Sequence, residues 1–113
     1  MWIFTETGFV SAVRHWTRPD TLVVRARDRE SLEALATPAD TPIEKTPVAD
    51  YPYRTEVSEA AFSEWLMTCI KSMDYSNFKD RVDEVRGDRF AASLMSVWDT
   101  MHEVEDEDAR QGR

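Results

Sequence analysis

The chain has 113 residues and a formal net charge of −8, with 42% hydrophobic residues, 11% aromatic residues and three glycines. This composition is typical of a folded chain with one domain's length of core, and it excludes a disordered protein. No apolar run reaches the ~20 residues of a membrane span, and no secretion signal opens the sequence, so we expect a cytoplasmic protein. A single cysteine, Cys69, excludes an internal disulfide, and two histidines leave little for a zinc site.

The first part of the chain predicts strands separated by turns. Three β-favouring runs cover residues 2–5, 9–15 and 22–27. Gly8, in the first turn, suits a backbone with positive φ. In the third run the strand period places Leu22, Val24 and Ala26 on one face, and Val23, Arg25 and Arg27 on the other.

A short helix is predicted after the third run. Asp28 is a good N-cap for residues 29–36, in which Leu32 and Leu35 share one side. The prolines that follow predict a loop over residues 37–42. Two further strands are predicted over residues 43–46 and 53–57.

The strongest pattern is an amphipathic helix that begins after Ser58, its predicted N-cap. Its apolar residues recur at helical spacing and are Phe62, Trp65, Leu66, Cys69, Ile70 and Met73. Because a tryptophan and a phenylalanine on one side need a covering layer, we expect this side to lie against a sheet.

Two more helices are predicted at the C-terminal end. Asp74 or Ser76 is the expected cap of the first, Gly87 its end, and Asp88 the cap of the second. Their apolar stripes are Phe78, Val82 and Val85 in the first, and Phe90, Leu94, Val97, Trp98 and Met101 in the second.

These elements predict an α+β fold: a two-layer sandwich of a mostly antiparallel sheet of about five strands, with helices packed on one face. A hairpin followed by a capped helix occurs twice, at residues 9–36 and 43–73, which indicates a repeated topology without a sequence repeat. The two C-terminal helices would complete the apolar cover. We expect one domain over residues 1–104 and a frayed acidic tail over residues 105–113.

Several motifs resemble a family of small uncharacterised proteins from bacteria and their phages. They are Met1–Thr5, Gly8-Phe9, Ser11–Val13, Leu22–Arg27, Ala49–Tyr51, Tyr53-Arg54, Asp74–Lys79 and Val97-Trp98. The resemblance covers nearly the whole chain in the same order, apart from residues 37–48 and the acidic tail. It implies no activity, cofactor or partner. A phage origin would place the protein in the host cytoplasm. Its expected role would then be to inhibit a host factor, such as a defence component.

No pattern in the sequence points to catalysis, so we predict a non-enzymatic protein without a cofactor or a metal. The three glycines are too far apart for a phosphate-binding loop. His15 and His102 have no serine, cysteine or carboxylate at a spacing that indicates a catalytic relay, and both are predicted to be surface residues. Cys69 is predicted to be a small buried residue, and the paired acids of the C-terminal helices to be solvated.

The most distinctive surface is basic and aromatic. Residues 9–29 hold five arginines against two aspartates, a local charge of +3 in an acidic chain. Strand periodicity places Arg25 and Arg27 on one face, and we expect Arg14 to join them from the neighbouring strand. The candidate binding residues are Arg14, Trp16, Arg18, Arg25, Arg27 and Arg29.

This surface has three interpretations. In the first interpretation the surface binds an acidic protein partner, since arginine is common in binding hot spots. In the second it binds single-stranded nucleic acid on an open sheet. In the third interpretation its arginines are solvated and paired with nearby acids, namely Glu30, Glu33, Glu44 and Glu56. A protein-binding module is the predicted function, and exposed Trp2 or Trp16 would indicate a homodimer.

The polar segment Asp74, Tyr75, Ser76 and Asn77 is predicted to be a corner between two helices. The alternative is a loop that contacts a ligand through polar side chains and the tyrosine hydroxyl.

Overall fold

The structure is a computed structural model that describes residues 1–106. The chain forms two compact units, Met1–Tyr75 and a second that begins at Ser76, and each is described by itself. A division into compact units does not decide whether they fold as one domain, so the single domain over residues 1–104 stays a prediction. Of the predicted acidic tail, residues 107–113 lie outside the described residues.

The first unit is built on a five-stranded antiparallel sheet. Its strands are β1 (Trp2–Thr5), β2 (Gly8–Arg14), β3 (Thr21–Ala26), β4 (Glu44–Lys45) and β5 (Tyr53–Ser58). They lie in the order β1-β2-β3-β5-β4. Helices α1 (Glu30–Ala39) and α2 (Glu59–Lys71) pack on one face of the sheet. The predicted α+β fold is confirmed, with α1 following the β2–β3 pair and α2 following the β4–β5 pair.

Ser58 is the N-cap of α2, as predicted, whereas the N-cap position of α1 is Arg29, one residue after the predicted Asp28. Asp28 Oδ1 accepts a hydrogen bond from the N–H of Ser31 at 3.2 Å, and the Ser58 hydroxyl accepts one from the N–H of Ala61 at 3.1 Å. These bonds satisfy N–H groups that have no partner within the first helical turn.

The predicted end of α1 at residue 36 is wrong, because the helix runs through Pro38 to Ala39. A proline in the last turn removes only one intrahelical hydrogen bond, so the helix tolerates it there. Asp40 then ends the helix with a left-handed φ of 54°.

The core lies between the sheet and the two helices. As predicted, Val24 and Ala26 of β3 face this layer and are fully buried. Trp65 of α2 is 8% exposed and packs in the same cluster, which confirms that the aromatic side of α2 lies against the sheet. Ile70 and Met73 share the predicted stripe but are 63% and 55% exposed, since they border an open groove beside β1.

The described part of the second unit is a pair of helices, α3 (Phe78–Arg86) and α4 (Asp88–Met101), followed by a 3-10 turn at His102–Val104. Val82 and Ala91 are buried. The predicted stripes are only partly covered, and their exposed members are Val85, Val97, Trp98 and Met101. Within residues 1–106 no helix has the length and hydropathy that a bilayer span needs.

The caps of these helices differ from the prediction. Asn77 caps α3 in place of Asp74 or Ser76, because its Oδ1 accepts the N–H of Asp80 at 3.0 Å. Gly87 stands between the helices with φ of 93°, a region that side chains disfavour. Asp88, the predicted cap of α4, is its first helical residue.

Candidate binding surface

The distinctive polar residues of the first unit lie on the sheet face opposite α1 and α2, here called the second face. Strand pairing places one residue of every strand in a single cross-strand row, in the order Trp2, Ser11, Arg25, Arg54 and Glu44. Directly opposite residues of antiparallel strands point to the same side, so the five side chains share the second face.

Arg25 and Arg54 are directly opposite each other in this row. Nη2 of Arg25 donates to the Ser11 hydroxyl at 2.9 Å. The Nε atoms of both arginines are buried and have no hydrogen-bond partner in the described part of the chain. Arg54 also forms no ion pair with residues 1–106, although Glu44 lies opposite it on β4. Because like charges in opposite positions destabilise a sheet, this pair is costly without an anion.

Aromatic rings continue the second face toward β1. Phe4 and Phe9 are stacked with ring centroids 4.5 Å apart, and Trp2 meets Phe9 edge-on at 5.6 Å. Trp2 is nevertheless 70% exposed. The edge of the second face therefore presents a large apolar ring beside the arginines.

Tyr51 connects the rings to the arginines. It is 7% exposed, and the Cζ atoms of Arg25 and Arg27 lie 4.9 and 4.6 Å from its ring centroid. Such cation–π contacts hold guanidinium groups in fixed positions. The arginine–aromatic surface is defined here as Trp2, Phe4, Phe9, Arg25, Arg27, Tyr51 and Arg54.

The predicted placement of Arg14 is wrong. Arg25 and Arg27 do lie on the second face, but Arg14 pairs with Leu22, whose side chain packs toward the helices. Its Nη2 instead contacts Glu59 Oε1 at 2.8 Å. The reason is register: Ser11 pairs with Arg25, and Arg14 follows Ser11 by an odd number of residues, which points it to the opposite face.

The other predicted arginines have partners of their own. Arg18 forms an ion pair with Glu56, as one interpretation predicted. Arg27 donates to the carbonyl of Asp50 at 2.8 Å. Arg29 donates to the carbonyl of Ile43 at 3.4 Å.

His15 is buried, which contradicts the prediction of a surface residue. It is 8% exposed, and Trp16, itself 76% exposed, is stacked on it at 4.0 Å. Its Nδ1 accepts the N–H groups of Thr17 and Arg18 at 3.1 and 3.2 Å, so the ring proton lies on Nε2, 3.3 Å from Glu56 Oε1. These bonds give His15 a structural role in the turn after β2.

Few other groups in the described residues offer site chemistry. No three side chains of His, Cys, Asp or Glu within residues 1–106 form a cluster suited to a metal ion. His102 is exposed, as predicted, and its Nδ1 lies 2.7 Å from Glu105 Oε1. Cys69 is half-buried. Burial raises the pKa of its thiol, and the Glu6 carboxylate raises it further.

The polar segment of residues 74–77 contains the cap of α3 at Asn77. Tyr75 is half-buried and borders the groove beside β1, while Asp74 and Ser76 are exposed. Both interpretations of this segment, a corner between two helices and a loop that contacts a ligand, stay predictions.

Of the seven residues of the surface, the sequence predicted only Arg25 and Arg27 as binding residues. It missed the aromatic residues and the second arginine of the pair, namely Trp2, Phe4, Phe9, Tyr51 and Arg54. The alternation of residues 53–57 indicated a half-buried strand, but only the pairing of β5 with β3 shows that Arg54 lies opposite Arg25. Tyr51 lies in an irregular segment, where no periodicity points to a face.

Comparison of the chain with protein-family models, with curated proteins and with solved structures found no match in any of the three. Fold and surface together define a class: an α+β domain with helices on one face of an antiparallel sheet and an arginine–aromatic surface on the other.

Proposed function

We propose that this chain is a non-enzymatic binding module that holds an acidic segment of another protein on the arginine–aromatic surface. The observation that supports the proposal most strongly is the Arg25–Arg54 pair, two opposite cations whose buried Nε atoms have no partner in residues 1–106. Both arginines are partly exposed as residues, and a carboxylate that contacts the two guanidinium groups would reduce the repulsion between their charges.

The side chain of Arg25 is already fixed in position before a ligand binds. Ser11 and Tyr51 fix the guanidinium of Arg25, so little side-chain entropy is lost when it binds. The planar guanidinium matches the two oxygens of a carboxylate. Trp2, at the other end of the same row, offers an apolar contact. A fitting segment therefore carries an acidic residue and, a short distance along the chain, an apolar residue.

Single-stranded nucleic acid is the second candidate, because an exposed Trp2 beside arginines suits a stacked base. The chain's net charge of −8 repels a polyanion. Asp50, which contacts Arg27, and Glu44, at the end of the row, add negative charge at the surface itself. Isolated carboxylates of a protein segment meet less of this repulsion than a continuous phosphate backbone does.

Selection of a random displayed peptide library on the full chain tests the proposal. The selected peptides are expected to be enriched in Asp and Glu near an aromatic or aliphatic residue, and to bind more weakly as salt rises. Each hydrogen bond to a charged group contributes about 1.5–3 kcal/mol, so Arg25→Gln with Arg54→Gln should weaken binding by tenfold or more.

The matched control is Arg14→Gln, which removes an arginine from the opposite face and should leave peptide affinity unchanged. Peptides without acid enrichment, or equal binding to the double variant, would contradict the proposal. Tighter binding of a single-stranded oligonucleotide than of any selected peptide would favour the second candidate.

A further inference from the structure

The two edges of the sheet differ in how they are protected. β4, at one edge, consists of two exposed charged residues, Glu44 and Lys45, and has prolines close on both sides. β1, at the other edge, has the sequence Trp-Ile-Phe-Thr, without a charge or a proline. Short length, charge and proline keep edge strands from recruiting another strand, so β1 is the unprotected edge.

The pairing of β1 with β2 decides which of its backbone groups face outward. Met1 and Ala12 exchange two hydrogen bonds, of 2.9 and 2.8 Å. Hydrogen-bonded pairs alternate with non-bonded pairs along an antiparallel ladder, so Ile3 also bonds to β2. The N–H and C=O groups of Trp2 and Phe4 then point away from the sheet, and β1 presents two donors and two acceptors.

We infer that β1 pairs with β1 of a second copy, antiparallel and about a two-fold axis at Ile3. In this register Trp2 of each chain lies opposite Phe4 of the other and exchanges two hydrogen bonds with it. All outward groups of both strands are then satisfied. A register shifted by two residues leaves either Trp2 or Phe4 opposite a residue outside β1.

The side chains support the same register. On the second face, the exposed Trp2 ring meets Phe4 of the other copy, which extends the Phe4–Phe9 stack across the junction. On the helix-facing side, Ile3 borders an apolar groove of about 310 Å³ together with the exposed Ile70 and Met73. The second copy brings its own Ile3 beside this groove, so apolar surface is covered on both sides of the sheet.

Pairing of β1 with β1 produces a dimer and no larger assembly. A two-fold contact uses both β1 edges and produces one continuous sheet whose outer edges are the two β4 strands. Because those edges are short and charged, no further strand is added. The inference rests on strand pairing and not on the Arg25–Arg54 pair, but it shares Trp2 with the arginine–aromatic surface, and in the dimer the Trp2 ring contacts the other copy.

Sedimentation equilibrium of the full chain over a concentration series tests the inference. The apparent mass is expected to rise from 13.1 kDa toward twice that value. Trp2→Pro removes an outward N–H without breaking the β1–β2 ladder and should leave a monomer at every concentration. Trp2→Thr, the matched control, removes the same ring but keeps the N–H. Because the dimer loses both Trp2–Phe4 pairs, dimerisation should weaken by about five- to hundredfold and remain detectable at high concentration.

Ile3 gives a second test, since Ile3 of one copy lies opposite Ile3 of the other copy in the proposed dimer. Ile3→Lys and Ile3→Glu should each be monomeric, and an equal mixture of the two should form a heterodimer. Amide exchange at Phe4 in the unsubstituted chain needs no variant and should slow as concentration rises. A monomeric wild-type chain, equal dimerisation of Trp2→Pro and Trp2→Thr, or Phe4 exchange that is independent of concentration would overturn the inference.

Discussion

Replacing Arg54 with methionine is expected to stabilise the free protein while it weakens partner binding. Arg54 lies opposite Arg25, and a like-charged pair in that position costs about 0.2–1 kcal/mol. Its buried Nε has no partner in residues 1–106, which costs about 1 kcal/mol more. Methionine keeps the length and the apolar stem of the side chain. The expected gain in the free energy of unfolding is therefore about 1–2 kcal/mol, or roughly 3–12 °C in Tm for a chain of this size.

Urea denaturation of Arg54→Met measures this change, with Arg14→Met as the matched control on the other face. Arg14 contacts Glu59 at 2.8 Å and also donates to the Pro19 carbonyl at 2.8 Å, so its loss should cost up to about 1 kcal/mol. The two variants are thus expected to have opposite signs. A loss of 1 kcal/mol or more in Arg54→Met would show that its guanidinium makes a stabilising contact and would refute the reasoning.

Three further predictions concern α2. Trp65→Ala should lower the free energy of unfolding by about 3–5 kcal/mol, because it removes a ring that is 8% exposed, whereas Ile70→Ala, at a position that is 63% exposed, should change it by less than about 0.5 kcal/mol. Comparable losses in the two variants would contradict the assignment of the covered side. Iodoacetamide should alkylate Cys69 more slowly in the folded chain than in urea at the same pH, because burial raises its thiol pKa and reduces the thiolate fraction. The same shift predicts that stability falls as pH rises past the thiol's ordinary pKa, since the folded state then holds a proton that the unfolded state has released. Equal alkylation rates would show that the thiol is not shielded.

Local patterns in the sequence predicted most elements of this fold. Period-two alternation located β3 and β5, and helical spacing located α2, because each pattern depends only on residues that are neighbours along the chain. The cap residue Ser58 predicted the beginning of α2 for the same reason, and Asp28 predicted that of α1 to within one residue. The errors fell at ends, such as α1 at Pro38 and the cap of α3 at Asn77, where neighbouring residues compete for the same role.

The candidate surface was only partly predictable. The alternation of residues along β3 placed Arg25 and Arg27 on one face correctly. Predicting the face of Arg14 required the register between β2 and β3, which is set by a loop of irregular residues. A shift of one residue in that register would reverse the face of every side chain on the strand. The burial of His15 depended on Glu56, a residue remote in sequence.

By itself, the sequence determined which segments become strands and helices and which side of each is apolar, since those properties follow from the order of residues within one element. Only the tertiary structure decided that Arg54 stands against Arg25, that Tyr51 lies beneath two guanidinium groups, and that β1 remains an open edge. The physical reason is that strand order and register are set by packing and hydrogen bonds between distant segments. Periodicity within a single segment carries no record of those contacts.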